Sequence, residues 1–511
     1  MNYSFPYKKR DWIFLILLTL LLIVVRLPSF DEPLENDSGS VAFFARQMLR
    51  GETLYNKFHP AHHLPGIYYT YELAFMLFGD NPNTPKLLLI PWTLACGFVL
   101  YSIGRKYFDE QIGILSAVFF VLMSSQRGMA GMTVEMEHFA NLPLVAGIFL
   151  LFFLLHRQAP PWQYIWLGIV GALSVLYKVI LVTPMVVAGI SILLMAWINR
   201  KEAKAWKTMF SQLTWVVIGF ILPLGIVATY FASIGLWKRF FLVFELGFNY
   251  FDSGVMNSAN LPPPFGFPLF WLSINNFVLL FFGLIGIYHI ARRASPVRSI
   301  GDLTDIIVIL WLVISLAMAG LRGGGFAHYC LPIVPPLALS ASIEISSIYQ
   351  RWKVSSERLA NLGKGAAIGL IIYLFLWSNY SLYRDYGKYK LNQISHDEFL
   401  QKVYGDGFVS QQISNYVKVH TEPDDFIYLW SLYIDVYYYA DRLPPIDILW
   451  PAYVEATGSP NRIFTPRTKY ILVDIPKQGS IPQWLTDGLA ANYKLETVIK
   501  RTEIYRRQPP D

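Results

Sequence analysis

The chain has 511 residues, of which 54% are hydrophobic, 16% aromatic and only 15% charged. Soluble domains carry about 25% charged residues, so this deficit excludes an ordinary soluble protein and points to a membrane protein. The net charge of +7 falls in short clusters between apolar runs, a pattern of topology determinants that argues against nucleic acid as a partner.

A spanning helix needs about 20 largely apolar residues. In chain order, such runs lie at 12–30, 87–104, 112–125, 140–155, 162–177, 179–197, 212–235, 269–291, 305–320, 329–348 and 365–381. They predict an α-helical polytopic membrane protein with about eleven transmembrane helices. Because the runs recur past residue 300, a signal peptide does not account for them. The clusters "YKKR" (7–10), "GRKYF" (104–108), "HR" (156–157), "NRKEAKAWK" (199–207), "ARRASPVR" (291–298) and "QRWKVSSER" (350–358) all fall on one side of this scheme. The positive-inside rule makes that side cytoplasmic. The N-terminus is then inside, and an odd number of spans puts the C-terminus outside. The loops 31–86, 126–139, 236–268 and 321–328 share the outer side, the third ending in the Pro-rich "NSANLPPPFGFP" (257–268). Cys96 and Cys330 sit in or beside apolar runs and suggest neither a disulfide framework nor a zinc cluster.

After residue 381 the pattern changes. "DFIYLWS", "PPIDILW", "KYILVDI" and "RTEIYRR" are short β-prone runs, and "DEFLQKVYGDGFVSQQISNYVKV" has a helical period. The expected organisation is a transmembrane domain over 1–381 and a small extracytoplasmic α/β domain over 382–511.

The densest polar chemistry follows the first span. "DSGSVAFFARQMLRG" (37–51) predicts a helix lying along the outer interface, with Asp37 or Ser38 as its N-cap and Gly51 as its stop. "HPAHHLPG" (59–66) then leads into the tyrosine-bearing "IYYTYELAFMLFG", whose aromatics suit the headgroup level. Read from the residues alone, Asp37 is a helix cap or a functional acid. Lys178, in "LYKVILVTP" (176–184), is a snorkelling cation or a ligand contact.

An acid just after the first span, an interfacial helix ending in "LRGETLY" and a Pro-Gly-aromatic step resemble the first outer loop of the GT-C glycosyltransferases. The likeness is to the branch of dolichyl-phosphate-mannose protein mannosyltransferases and the aminoarabinose transferase of lipid A. It covers roughly residues 10–350 as topology and order of features. The resemblance implies an inverting membrane glycosyltransferase that takes a sugar from a polyprenyl-phosphate donor to an acceptor lipid, glycan or protein outside the plasma (inner) membrane. By the same resemblance Asp37 is the general base that receives the acceptor's proton. In "GMTVEMEHFANLP" (131–143), Glu137 matches the family's acid before "F-x-x-L-P", and with Glu135 it is a candidate for acceptor or sugar binding. Lys178 carries over as a contact to the donor phosphate. "LRGGGFAHYCLPIVPPLAL" (321–339) resembles the family's late outer-loop pattern and adds Arg322, His328 and Tyr329 to that contact.

The first loop departs from the family pattern. Where members carry a lysine before the aromatic run, "HHLPG" (62–66) has His62 and His63, which replace it only as neutral donors unless their pKa is raised. They join the candidates for acceptor or sugar binding. No cofactor is required by the sequence, although His59, His62 and His63 with Glu137 offer ligands to a divalent metal. Two other function classes stay open. A transporter or lipid flippase would place ionisable residues near mid-membrane, whereas here they gather in the outer loops. A scaffold would use an outer surface such as "WSLYIDVYYYADRLP" (430–444), which reads equally as a packed strand and turn.

Overall fold

The computed structural model describes residues 9–252, 266–320, 326–377, 379–404, 408–454, 460–474 and 481–509. Most of the Pro-rich loop 257–268, together with Arg322 and its three following glycines, lies outside these residues. From the N-terminus the helices are α1 (Lys9–Arg26), α2 (Asn36–Leu49), α3 (Gly66–Phe78), α4 (Thr84–Tyr107), α5 (Glu110–Ser124), α6 (Met136–His156), α7 (Ile165–Tyr177) and α8 (Thr183–Ile198). After α9 (Ala205–Ser233) and α10 (Trp237–Asp252) come α11 (Gly266–Arg293), α12 (Ile300–Gly320), α13 (Val334–Ser355) and α14 (Glu357–Leu376). The C-terminal part adds α15 (Tyr380–Lys390), α16 (His396–Tyr404), α17 (Val409–His420), β1 (Phe426–Trp430), α18 (Val436–Ala440), β2 (Thr468–Asp474), α19 (Gln483–Asn492), β3 (Tyr493–Ile499) and β4 (Thr502–Arg507).

The chain divides into two compact units. The first contains residues 1–31, 86–230 and 251–383, and the second contains 32–85, 231–250 and 384–511.

Each of the eleven expected apolar runs coincides with helix over most of its described residues, although 179–182 form a turn before α8. Among the described residues, eight helical segments are long and apolar enough to cross a membrane, and α5 and α8 are shorter apolar helices. The reduced number has a simple cause: α5, α7 and α8 have 15, 13 and 16 residues, too few at 1.5 Å per residue for a hydrocarbon core about 30 Å thick. Trp12, Ile13, Ile16, Leu17 and Leu20 of α1, and Leu362, Ile368 and Ile372 of α14, are exposed. Such continuous apolar faces suit lipid rather than water, and the chain is a multi-pass membrane protein. Inside, α13 packs against α5, α11 and α14, and α6 packs against α7. Close approach depends on small residues, as usual where lipid replaces water. A Cβ on Gly168 of α7 would strike the carbonyl of Val216 on α9, and one on Gly219 would strike that of Ile165.

The second unit contains a four-stranded sheet in the order β1-β2-β4-β3. β1 pairs parallel with β2, placing Tyr428 beside Ile471, while β4 runs antiparallel to both β2 and β3. Ile427, Tyr428 and Leu429 are all buried, which explains why β1 reads as a continuous apolar run rather than an alternating one. The strands expected in "DFIYLWS", "KYILVDI" and "RTEIYRR" form. "PPIDILW" does not form one: Leu443 and Ile448 make only isolated bridges, because Pro444 and Pro445 bring no N–H to a ladder. The helical stretch expected over 397–419 contains α16 and α17 among the described residues. "WSLYIDVYYYADRLP" is not a strand but contains the helical turn α18. Asp441 stops it in a left-handed conformation (φ 51°), and Arg442 donates to the carbonyls of Ala440, Asp441 and Thr421. The loop expected at 236–268 begins with the helix α10.

Candidate functional site

In the first unit, three residues from distant stretches meet. Glu137 lies in the first turn of α6, Lys178 is the C-cap of α7, and Tyr329 lies in a 3₁₀ segment, Ala327–Ile333. Lys178 Nζ donates to Glu137 Oε1 and stands 4.2 Å from the centre of the Tyr329 ring. Glu137 is 1% exposed and Lys178 5%, so each buried charge has its opposite and the ring face beside it. His328 is half-buried with its ring edge-on to Tyr329 at 4.5 Å. Glu135 is the buried N-cap of α6, without a side-chain cap bond.

The turn before α6 is held by residues the sequence did not single out. Arg26, at the end of α1, donates to the carbonyls of Gly131 and Thr133. Asn275 of α11 donates to the Gly128 carbonyl, and Asn379 accepts from the Arg127 amide. Asn141 donates to the Leu331 carbonyl at 3.3 Å, tying α6 to the segment that carries His328 and Tyr329. An arginine closing an apolar run reads as an interfacial cation, so its inward role leaves no signal in the pattern.

In the second unit, α2 carries Asp37. Its N-cap is Glu35, with extended backbone (φ −73°, ψ 172°) and no side-chain cap bond. The expected cap at Asp37 or Ser38 is therefore corrected: both lie inside the first turn. The helix starts early because Asn36 Oδ1 accepts from the Ile434 amide at 2.8 Å and the Leu34 amide donates to Tyr439 Oη at 2.6 Å. The eight residues after Asp37, 38–45, are all buried, while Asp37 itself is exposed.

The loop histidines go to separate partners. His59 Nε2 donates to the Arg239 carbonyl at 2.7 Å, and burial pulls its pKa down to about 4. His62 Nδ1 is 2.6 Å from Tyr453 Oη. His63 Nδ1 is 3.1 Å from Tyr68 Oη, a hydroxyl held protonated chiefly by burial and then by the charge of Asp37. Among the described residues the three histidines form no group whose ligand atoms could share an ion, which gives the metal expectation in this loop no support. Asp435, unnoticed in the sequence, is buried against α2 beside Gly39.

Residues 59–227 match the family model of dolichyl-phosphate-mannose-protein mannosyltransferases. The chain also resembles ArnT from Cupriavidus metallidurans, solved bound to undecaprenyl phosphate, at 12% identity over 98% of each chain with a TM-score of 0.58. The chain has the GT-C fold. A second GT-C structure, the oligosaccharyltransferase AglB from Archaeoglobus fulgidus in complex with an inhibitory peptide and a dolichol-phosphate, is similar at 11% identity. That likeness covers 92% of this chain and 70% of AglB, with a TM-score of 0.56. No curated protein matches the sequence. Family match and GT-C fold together indicate a membrane glycosyltransferase. The family match takes in Glu135, Glu137, Lys178 and the three histidines but begins after Asp37.

Proposed function

We propose that this chain is an inverting glycosyltransferase that moves a sugar from a polyprenyl-phosphate donor to an acceptor on the extracytoplasmic side of the plasma membrane. The N-terminus is cytoplasmic, and residues 382–511 are extracytoplasmic. The ArnT and AglB structures, with undecaprenyl phosphate and dolichol-phosphate respectively, support a donor of that class. Asp37 is the general base. It takes the proton from the acceptor nucleophile as the nucleophile's lone pair bonds to the sugar C1. The C1–O bond breaks on the opposite face, and its electron pair leaves on the polyprenyl phosphate.

The observation that carries the assignment of Asp37 is its exposure immediately before eight buried residues, 38–45, of the same helix. A carboxylate not used as a cap, on a turn fixed by tertiary hydrogen bonds, is a pre-positioned base. Lys178, with Arg322, His328 and Tyr329, contacts the donor phosphate. Phosphate would then compete with Glu137 for the Lys178 ammonium, exchanging one anionic partner for another. Glu137, Glu135, His62 and His63 bind the sugar or acceptor.

Intact mass spectrometry of lipid co-purified with the chain tests the class. A bound polyprenyl-phosphate sugar is expected, and an apolar or ordinary phospholipid alone would count against it. The Asp37→Asn chain tests the base: it should fold normally and lose transfer, and normal turnover would place the base elsewhere.

A further inference from the structure

Asp435 is a buried acid that the transfer scheme leaves without a role. It is 2% exposed, and its Oδ1 has no hydrogen-bond partner among the described residues. The Ser410 hydroxyl and the Val436 amide reach the carboxyl group. Its backbone lies on the first turn of α2. A Cβ on Gly39 would overlap Asp435 Cβ and lie 3.0 Å from its Cα, and the neighbouring Ile434 amide is bonded to Asn36. Residues 434 and 435 thus bracket Asp37 between their contacts at 36 and 39.

The elements packed chiefly on α18 are α2 and α17, and Phe75 of α3 stacks on its Tyr438 ring. On α2, Arg46 is paired with Asp80. On α17, Lys418 and His420 lie two turns or more beyond Ser410, at the far end of the helix. Asp37 is the charged group acting on Asp435 from these elements, and Tyr439 is the titratable neighbour that feels Asp435 in turn.

We propose that Asp435 is a positioning residue for Asp37: its side chain seats Gly39 and fixes the turn of α2 that carries Asp37. The inference rests on Asp37 being the general base. Burial, with the charge of Asp37 added, pushes the Asp435 carboxyl up to about 7. Once ionised, it becomes a second carboxylate beside the base and strains the contact with α2. Transfer should therefore decline as pH rises through about 7.

The stability linkage has a fixed sign. A carboxyl whose folded pKa exceeds its unfolded value binds more protons when folded, so stability falls as pH rises between the two values. The window runs from 3.8 to about 7, above which the loss is complete.

The test uses the full chain with Asp435→Asn, a neutral isostere, and Asp435→Ser as a smaller neutral alternative should the first not fold. The unfolding midpoint of the variant minus that of the parent should grow from pH 4 to 7 and then level off. In the Asp37→Asn background the same window should end at lower pH. Membrane vesicles containing the chain and their own polyprenyl-phosphate sugars supply the third readout, release of free polyprenyl phosphate. The Asp435 variant should release it at pH 6 and resist the alkaline decline. A midpoint difference flat across pH 4–7, a window unmoved by Asp37→Asn, or an unchanged alkaline decline would overturn the proposal. Release that persists in Asp37→Asn would instead overturn the base, so the two failures are told apart.

Discussion

In the first unit, Lys178 and Glu137 bury opposite charges against the Tyr329 ring. In the second, Asp435 is buried, and the exposed acid Asp37 is a charged group that acts on it. An opposite pair deep in a protein holds both its charges, and breaking it strands one of them. A buried acid favours holding its proton chiefly because burial penalises the charge, and a like charge nearby adds to that. The first arrangement therefore responds to loss of a partner and the second to pH.

The largest effect should come from Asp37→Asn. Loss of a general base costs about 10²–10⁴ in rate, measured as polyprenyl-phosphate release, while the helix terminus loses only about 0.3–1 kcal/mol. Glu137→Ala should come next, because removing one partner of a buried ion pair destabilises by about 3–5 kcal/mol. Glu137→Gln combined with Lys178→Met should recover much of that loss in thermal denaturation, and no recovery would mean that the pair is not self-contained. Gly39→Ala forces a methyl group onto Asp435 and should cost about 1–3 kcal/mol, with a larger loss of turnover than of stability. The smallest effect is expected from Arg50→Ala. Its pair with Asp441 lies at 2.9 Å, with side chains 48% and 41% exposed, and exposed pairs contribute about 0.2–1 kcal/mol. A larger shift would make that edge of α2 as important as its first turn.

The membrane helices were legible because an apolar run of spanning length has few alternatives in water or lipid. The strands β1, β2 and β4 were legible for their β-branched and aromatic runs. β3 was not: Lys494, Leu495 and Glu496 are exposed on an outer strand of the sheet, so it lacks a buried face to imprint a pattern. α18 was misread because "VYYYA" favours a strand locally, while Arg442 and the packing of α17 and α2 make it helical. Asp37, Glu137, Lys178 and Tyr329 stood out as polar groups beside apolar runs. Arg26 and Asp435 did not, since their roles depend on partners more than 100 and nearly 400 residues away.

That separation also sets a schedule for biosynthesis. The Ile434 amide that bonds Asn36 is 398 residues downstream, so at 5–20 residues per second it emerges roughly 20–80 s after α2. Until then the helix bearing Asp37 has neither its Asn36 partner nor the wall behind Gly39. A ribosome stalled before codon 434 would leave a chain whose α2 still lacks the contacts that seat its first turn.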